Sequence, residues 1–352
     1  MTTDTPFDPD GVGLDNGNYF GMPFTTDEAD LVLLSAPWDV TVSYGAGTAY
    51  APDALIETST QLDFYDPAAP DAWRRGIATA EVDYGLLELS ERLRTDARRV
   101  IEHLERGGAV TDDAVVRKLR RVNEGSCRLN AVIGEEARRY LDRGKRVGLV
   151  GGDHSTPYGL VRALGERHAH FGILHIDAHC DLREAYEGFE YSHASIMYNL
   201  LRDVPQIERI VQVGVRDYSA AERRFAEASG RVVQYDGQRL LEGRFAGESW
   251  RTQCDRIVAE LPEAVYVSFD IDGLDLPCCP HTGTPVPGGL TYDEAVYLLQ
   301  RTVDSGRRLI GFDVVEVCPT EGDRTDAVVG ARILWKLCGQ TLRSAQPSDT
   351  HL

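Results

Sequence analysis

The feature that most limits the possible folds is a regular alternation of β-branched runs with helical segments. From residue 146 onward, runs such as RVGLVGG, FGILHID and AVYVSFDID are separated by segments with helical periodicity, such as TYDEAVYLLQRTV. The earlier run LVLLSAPWDV, at 31–40, has the same strand character. Strands that alternate with helices favour a parallel sheet with helices on both faces. The sequence therefore predicts an α/β fold with one domain.

Polar residues follow four of the predicted strands. GGDHS comes after the strand at 146–150, DAHCD after 171–176 and DIDGLD after 264–269, while Glu316 closes the run at 308–315. In open parallel sheets, active sites form at the carboxyl ends of the strands. We therefore expect these polar groups to converge at one edge of the sheet.

The residue types at these ends are typical of a metal site. DAHCD offers a carboxylate, an imidazole and a carboxylate at alternate positions, DID adds two carboxylates, and GGDHS adds His154. Each motif alone is also compatible with a cap or a turn. Together they indicate a metal centre, because several buried carboxylates require compensating cations. Asp and His ligands without cysteine favour Mn²⁺ or another borderline metal, and the number of ligands favours two ions.

Several motifs carry a resemblance to a known family. GGDHS, DAHCD, SFDIDGLD and DVVEV, together with TGTPVPGGL (282–290) and SAPWDVTVSYGAGT (35–48), closely resemble motifs of the arginase–agmatinase (ureohydrolase) family. The resemblance extends from about residue 30 to about residue 340. It implies a three-layer α/β/α sandwich with a central, mainly parallel sheet of about eight strands. It also implies a homo-oligomer, either a trimer or a hexamer.

The resemblance assigns a role to each polar residue. His193, in YSHAS, matches a histidine beside the substrate that is a proposed proton shuttle. Glu316, in DVVEV, matches the carboxylate that pairs with the substrate guanidinium. The expected metal ligands form two sets that share two bridging aspartates: His154, Asp177, Asp181 and Asp270 for one ion, and His179, Asp272, Asp177 and Asp270 for the other.

The implied reaction is hydrolysis of a guanidinium C–N bond with release of urea. A hydroxide that bridges the two ions would attack the guanidinium carbon. Asp181 would accept the proton of the hydroxide and pass it to the leaving nitrogen, with His193 as a relay. Charge balance supports a cationic substrate, because four ligand aspartates, a hydroxide and Glu316 together exceed the charge of two divalent ions.

The sequence leaves the guanidino substrate open. The loop REAYEGFEYSHAS (183–195) is rich in acids and aromatics and suits a cation that lacks a carboxylate, as in the agmatinase branch. The alternative is the branch that hydrolyses free guanidine, which is associated with Ni²⁺ in place of Mn²⁺. Formimidoylglutamate and arginine fit less well, and a metal-binding subunit without turnover is the non-catalytic alternative. The expected pocket-mouth residues are Trp38, Thr41, Ser43 and Tyr44.

His175 lies inside the predicted strand, two positions before Asp177. It matches no ligand position of the family. We therefore expect it to be a core histidine or to support a ligand, although it belongs to the same alternating motif, HIDAHCDLR.

The motifs also suggest how the chain is organised. Residues 1–30 form an irregular N-terminal arm, 31–342 a single catalytic domain, and 343–352 a tail. Extra helical sequence around 85–140 is predicted to be an insertion relative to typical agmatinases.

Composition excludes several classes of function. The net charge of −19 argues against nucleic-acid binding, which requires a basic surface. No apolar run is long enough to span a membrane, and the N-terminal residues lack the features of a signal peptide, so we expect a cytoplasmic protein. The seven cysteines include no CxxC pair and predict reduced thiols. An acidic surface with only three lysines suggests adaptation to high salt.

Overall fold

The computed structural model describes residues 7–344 of the chain. Its centre is a single sheet in which all neighbouring strands run parallel. The eight strands are β1 Leu31–Ala36, β2 Ile77–Thr79, β3 Arg146–Gly151, β4 Phe171–Ile176, β5 Ile207–Val213, β6 Val232–Tyr235, β7 Ala264–Asp270 and β8 Arg308–Val315. They lie in the order β2-β1-β3-β8-β7-β4-β5-β6. The prediction of a central parallel sheet of about eight strands is confirmed.

Helices cover both faces of the sheet. They begin where the sequence supplies caps: Ser219 and Glu222 form a capping box at one helix, as do Thr291 and Glu294 at another. The helices are α1 Ala51–Ser59, α2 Tyr84–Glu105, α3 Asp113–Leu141, α4 Tyr158–Gly165, α5 Ile196–Asp203, α6 Ala220–Ser229, α7 Gly237–Phe245, α8 Trp250–Ala259, α9 Tyr292–Asp304 and α10 Thr325–Ser344.

Two hydrophobic clusters hold the three layers together. Side chains along a strand alternate between faces, so Val32 and Leu34 of β1 join one cluster while Leu31 and Leu33 join the other. The first cluster includes apolar residues of α2 to α5, and the second includes those of α1 and α8 to α10. The sheet is therefore buried on both sides, as expected for parallel strands.

The strand order places the polar motifs side by side. β3, β8, β7 and β4 are consecutive neighbours at the centre of the sheet, although they are distant in sequence. The motifs that contain His154, Glu316, Asp270 and Asp177 end or follow these four strands. The crossover from β3 to β4 therefore creates a switch point where ligands bind in this class of fold.

The structure adds detail to the predicted organisation. Strand β2 was not predicted from the sequence, because it has only three residues and lies at the edge of the sheet. Helices α2 and α3 occupy the segment predicted to be an insertion. Residues 1–6 of the expected arm and 345–352 of the expected tail lie outside the described residues. The division into arm, domain and tail stays a prediction. In the part of the chain that the structure describes, none of the helices has the length and apolarity needed to cross a bilayer.

Candidate metal centre and active site

His154 directs one ring nitrogen into a group of carboxylates. Its Nδ1 lies 2.9 Å from Asp177 Oδ2, 3.0 Å from Asp181 Oδ2 and 3.2 Å from Asp270 Oδ2. Its Nε2 lies 2.9 Å from Ser268 Oγ, and that hydroxyl is placed to donate to Asp313. Because Ser268 has one proton to give, the network assigns the donor role in this contact to His154 Nε2. In the neutral ring, the Nδ1 lone pair then faces three carboxylate oxygens.

A second group of donor atoms lies beside the first and shares Asp177. His179 Nδ1 is 3.1 Å from Asp272 Oδ2 and 3.5 Å from Asp177 Oδ1. The ligand atoms of Asp177, His179 and Asp272 all lie within 4.8 Å of one another. Asp177 therefore turns Oδ2 toward His154 and Oδ1 toward His179, as a bridging carboxylate would.

His175 contacts a ligand candidate and is fully buried within β4. Its Nε2 lies 2.7 Å from Asp177 Oδ2, and its Nδ1 faces the amide nitrogen of Gln212 at 3.0 Å. Since Gln212 donates to Nδ1, the network assigns the ring proton to Nε2, which donates to Asp177. His175 also lies with His154, Asp177 and Asp181 in a group whose ligand atoms are all within 4.8 Å of one another. Its hydrogen bond to Asp177 is the contact expected of a residue that orients a ligand, so a supporting role stays our prediction.

Burial of so many carboxylates has a strong electrostatic effect. Burial, followed by the charges of Asp272 and Asp177, raises the pKa of Asp270 well above its usual range. Burial, together with Asp177, raises the pKa of Asp181 to about 6. Burial alone would lower the pKa of His154, but three carboxylates raise it well above its usual range. The group therefore has an excess of negative charge that added cations would stabilise.

The donor atoms fit divalent metal ions. His154 Nδ1 is buried, and among residues 7–344 it has no hydrogen-bond partner despite the three nearby oxygens. Nitrogen and oxygen donors that face a common point without bonding to each other are the arrangement expected of a ligand set. The mixture of imidazole and carboxylate suits Mn²⁺ and other borderline ions.

Two of the candidate catalytic residues have unusual backbone conformations. Asp181 has a φ of 52° and Glu316 a φ of 61°, in the left-handed region that few non-glycine residues adopt. Such conformations cost about 1–3 kcal/mol each and often mark functional sites. Glu316 Oε1 accepts a hydrogen bond from His154 N at 2.8 Å, whereas Oε2 is buried and has no hydrogen-bond partner among the described residues.

His193 lies at the start of a 3-10 turn (His193–Ser195) that leads into α5. Its backbone N–H donates to Thr41 Oγ1 at 3.3 Å, which links it to the loop after β1. Burial, followed by the nearby His179 and His154, lowers the pKa of His193 to about 3. This shift favours the neutral form of the ring.

A cavity of about 400 Å³ opens beside these groups. Asp181, His179 and His193 line it, together with Ser43 and Tyr44 of the expected mouth. Thr41 is buried behind His193. Trp38 corrects our expectation: it is fully buried in the hydrophobic cluster that includes α2 and α3, and its ring lies close to Gly125. As a large apolar side chain after a buried strand, Trp38 packs in the core and not at the pocket mouth.

Other residues around the site were not predicted from the sequence. Asp217 and Glu222 line the cavity, and Glu222 lies 3.6 Å from Arg183. Arg216 donates to the backbone carbonyls of Asp272 (2.7 Å), Val286 and others, and so holds the loop after β7. The available signal was the polar pair Arg216-Asp217, which follows the apolar run RIVQVGV just as the other motifs follow their strands.

Sequence comparison identifies relatives over most of the chain. An N(1)-aminopropylagmatine ureohydrolase of Thermus thermophilus is 34% identical over 295 residues, which cover 83% of this chain and 84% of that protein. A guanidinobutyrase of Pseudomonas aeruginosa is 28% identical and covers 90% of this chain and 87% of that protein.

Structure comparison gives a matching fold. The proclavaminate amidino hydrolase of Streptomyces clavuligerus superimposes with a TM-score of 0.72 over 95% of this chain and 100% of that chain, at 23% identity. At that identity the likeness concerns the fold alone. The sequence match to the family itself covers residues 29–339, which include every motif of the candidate site. The chain therefore belongs to the arginase family.

Proposed function

We propose that this chain is a two-metal ureohydrolase that cleaves a guanidinium C–N bond and releases urea. Its relatives are hydrolases that act on C–N bonds of linear amidines. The observation that carries the proposal is the pair of donor groups that share Asp177, of which His179 and Asp181 line the cavity. His154 Nδ1 lies within 3.2 Å of three carboxylate oxygens and has no hydrogen bond among the described residues, which supports a shared set of metal ligands.

The residues of the two donor groups would hold two divalent ions, with Mn²⁺ favoured and Ni²⁺ as the alternative. Such a pair of ions lowers the pKa of a bound water and stabilises negative charge that develops during the reaction. The ligands would be His154, Asp177, Asp181 and Asp270 for one ion, and His179, Asp272, Asp177 and Asp270 for the other.

Three residues of the chain would handle the substrate and its protons. Asp181 lines the cavity and would accept a proton on a carboxylate oxygen before the leaving nitrogen takes it. His193 would act as a relay in this transfer to the leaving nitrogen. Glu316, whose Oε2 has no hydrogen-bond partner within the described part of the chain, would accept hydrogen bonds from the planar guanidinium.

The cavity favours a linear guanidino amine over free guanidine. A volume of about 400 Å³ exceeds what a single guanidinium fills and leaves room for an aliphatic tail. The carboxylate of Asp217 at its wall favours a cationic end, whereas that of Glu222 accepts from Ser219 and lies close to Arg183. We therefore infer agmatine or a longer agmatine derivative as the substrate class.

Urea release from a panel of guanidino compounds tests the proposal. Purified protein loaded separately with Mn²⁺ or Ni²⁺ is incubated with agmatine, 4-guanidinobutyrate, guanidine and arginine. We expect urea from agmatine at a higher kcat/KM than from any compound with a carboxylate tail. Absence of urea from every guanidino compound with both metals would refute a catalytic role. If urea were released faster from guanidine than from agmatine, the inference that the substrate has an aliphatic tail would be wrong.

A further inference from the structure

Helix α2 contacts the loop that forms one wall of the cavity. This loop (39–47) follows β1, and its residues Ser43 and Tyr44 line the cavity. The loop is irregular and has few backbone hydrogen bonds of its own, so its shape depends on contacts from outside. The nearest source of such contacts is the helix that the sequence predicts to be part of an insertion.

Arg94 provides the main contact from α2. Its Nη1 donates to the backbone carbonyl of Val40 at 3.0 Å and also to that of Val42. One guanidinium group therefore binds two carbonyls on either side of Thr41, the residue whose hydroxyl accepts from His193 N. Arg94 is half-buried, and its guanidinium group donates to backbone carbonyls of the loop.

A second contact from α2 is made by Ser90, one helical turn before Arg94. Ser90 Oγ accepts from Asp39 N at 3.1 Å, and Asp39 Oδ2 in turn accepts from Gly47 N at 2.8 Å. Asp39 therefore connects the two ends of the 39–47 loop, and Ser90 binds the first residue of that loop. At the far side, Gly45 N donates to Gly283 O at 3.0 Å, which connects the loop to the opposite rim of the cavity.

We propose that Arg94 is a positioning residue that fixes the 39–47 loop and, through it, the substrate-facing wall and His193. Arg94 is not among the residues that line the cavity, and it acts on the cavity wall through the carbonyls of Val40 and Val42. This role gives helix α2 a function in substrate binding. The expected effect on KM rests on the proposed ureohydrolase activity. Small displacements of positioning groups lower rates or affinities strongly, even far from the reacting atoms.

Three variants test this role. Arg94→Gln removes the charge and shortens the reach of the side chain, whereas Arg94→Lys keeps a cation that can donate to both carbonyls. Arg99→Gln is the matched control, because Arg99 is an exposed arginine on the same helix. We expect Arg94→Gln to raise the KM for agmatine by roughly 10-fold or more, with kcat changed less. Arg94→Lys should recover part of that loss, and Arg99→Gln should match the wild type.

Amide hydrogen exchange tests the same role without requiring turnover. Arg94→Gln should increase exchange in residues 39–47 and leave the strands of the sheet protected. Unchanged exchange in 39–47, or a KM equal to that of the wild type in folded Arg94→Gln, would overturn the proposal. Increased exchange throughout the chain would also overturn it, because it would indicate a general loss of stability. If wild-type protein released no urea, the ureohydrolase proposal would fail, while the exchange experiment would still decide the role of Arg94.

Discussion

Asp177 connects the two donor groups, because its two oxygens face different histidines. His175, two residues earlier on the same face of β4, instead binds Asp177 and is held by Gln212. The alternating motif HIDAHCDLR therefore contains two kinds of residue. Those at and beyond the end of the strand are the proposed metal ligands, whereas His175 donates a hydrogen bond to one of these ligands.

This difference predicts unequal effects of two substitutions on metal binding. Asp177→Ala should abolish binding of both ions, because it removes the shared carboxylate. His175→Asn should retain both ions with an affinity roughly 10- to 100-fold weaker, as for other residues that support a ligand. Metal content after dialysis and isothermal titration with Mn²⁺ measure both effects. Equal loss from the two variants would mean that His175 is itself a ligand.

The sequence predicted the ligand candidates because their spacing is local. Asp177, His179 and Asp181 come directly after one strand, and a period of two places them on one side of the chain. The contact between Ser268 and Asp313, which orients His154, was not predictable from the sequence. The two residues are far apart in the chain and meet only because β7 and β8 pair in this register. Trp38 was misplaced because adjacency to a loop does not determine whether a side chain turns toward the core.

Two glycines, Gly134 and Gly159, lie where α3 and α4 approach each other closely. A Cβ added at Gly159 would lie 2.4 Å from the carbonyl oxygen of Asn130 and 2.7 Å from Gly134 N. A Cβ added at Gly134 would come no closer than 3.3 Å to any neighbouring atom. Since α4 follows the loop that carries His154, this contact helps to define the position of that loop.

The two glycines should therefore respond differently to the same substitution. Gly159→Ala should lower the free energy of unfolding by about 1–3 kcal/mol, because backbone atoms must move to admit the methyl group. Gly134→Ala should change it by less than about 1 kcal/mol, since the gain in helix propensity offsets the tighter contact. Urea denaturation monitored by circular dichroism gives both values. An equal loss of stability in the two variants would contradict the packing described here.

Elements with a strong period were predictable, and short ones were not. The helical sequence expected around 85–140 corresponds to α2 and α3, whose apolar residues recur at helical intervals. Strand β2 has three residues and so carries no measurable period. The number of strands came from the family resemblance, because a sheet with this order is assembled from segments far apart in sequence.

The charge of the whole molecule is strongly negative, at −19. Exposed ion pairs such as Arg138–Glu166, at 2.8 Å, offset part of the repulsion. Each exposed pair contributes only about 0.2–1 kcal/mol and weakens in salt. The repulsion among unpaired acidic groups acts over longer distances and is also screened by salt.

We expect screening of the repulsion to dominate, so that salt stabilises the fold. The free energy of unfolding should rise between about 0.1 M and 1 M KCl, over which the screening length falls from about 10 Å to about 3 Å. Thermal and denaturant unfolding of the same preparation at several KCl concentrations measure this. A stability that is flat or falls with KCl would show that the ion pairs matter more than the net charge.

Metal titration of metal-stripped protein tests directly whether the proposed ureohydrolase requires two ions per chain. Urea release from agmatine is followed while Mn²⁺ is added, with Asp177→Asn as the control that keeps the shape of the side chain. We predict no urea without added metal, full activity at two ions per chain, and no response from Asp177→Asn. Urea release by the metal-free protein, or saturation at one ion per chain, would contradict the two-metal site.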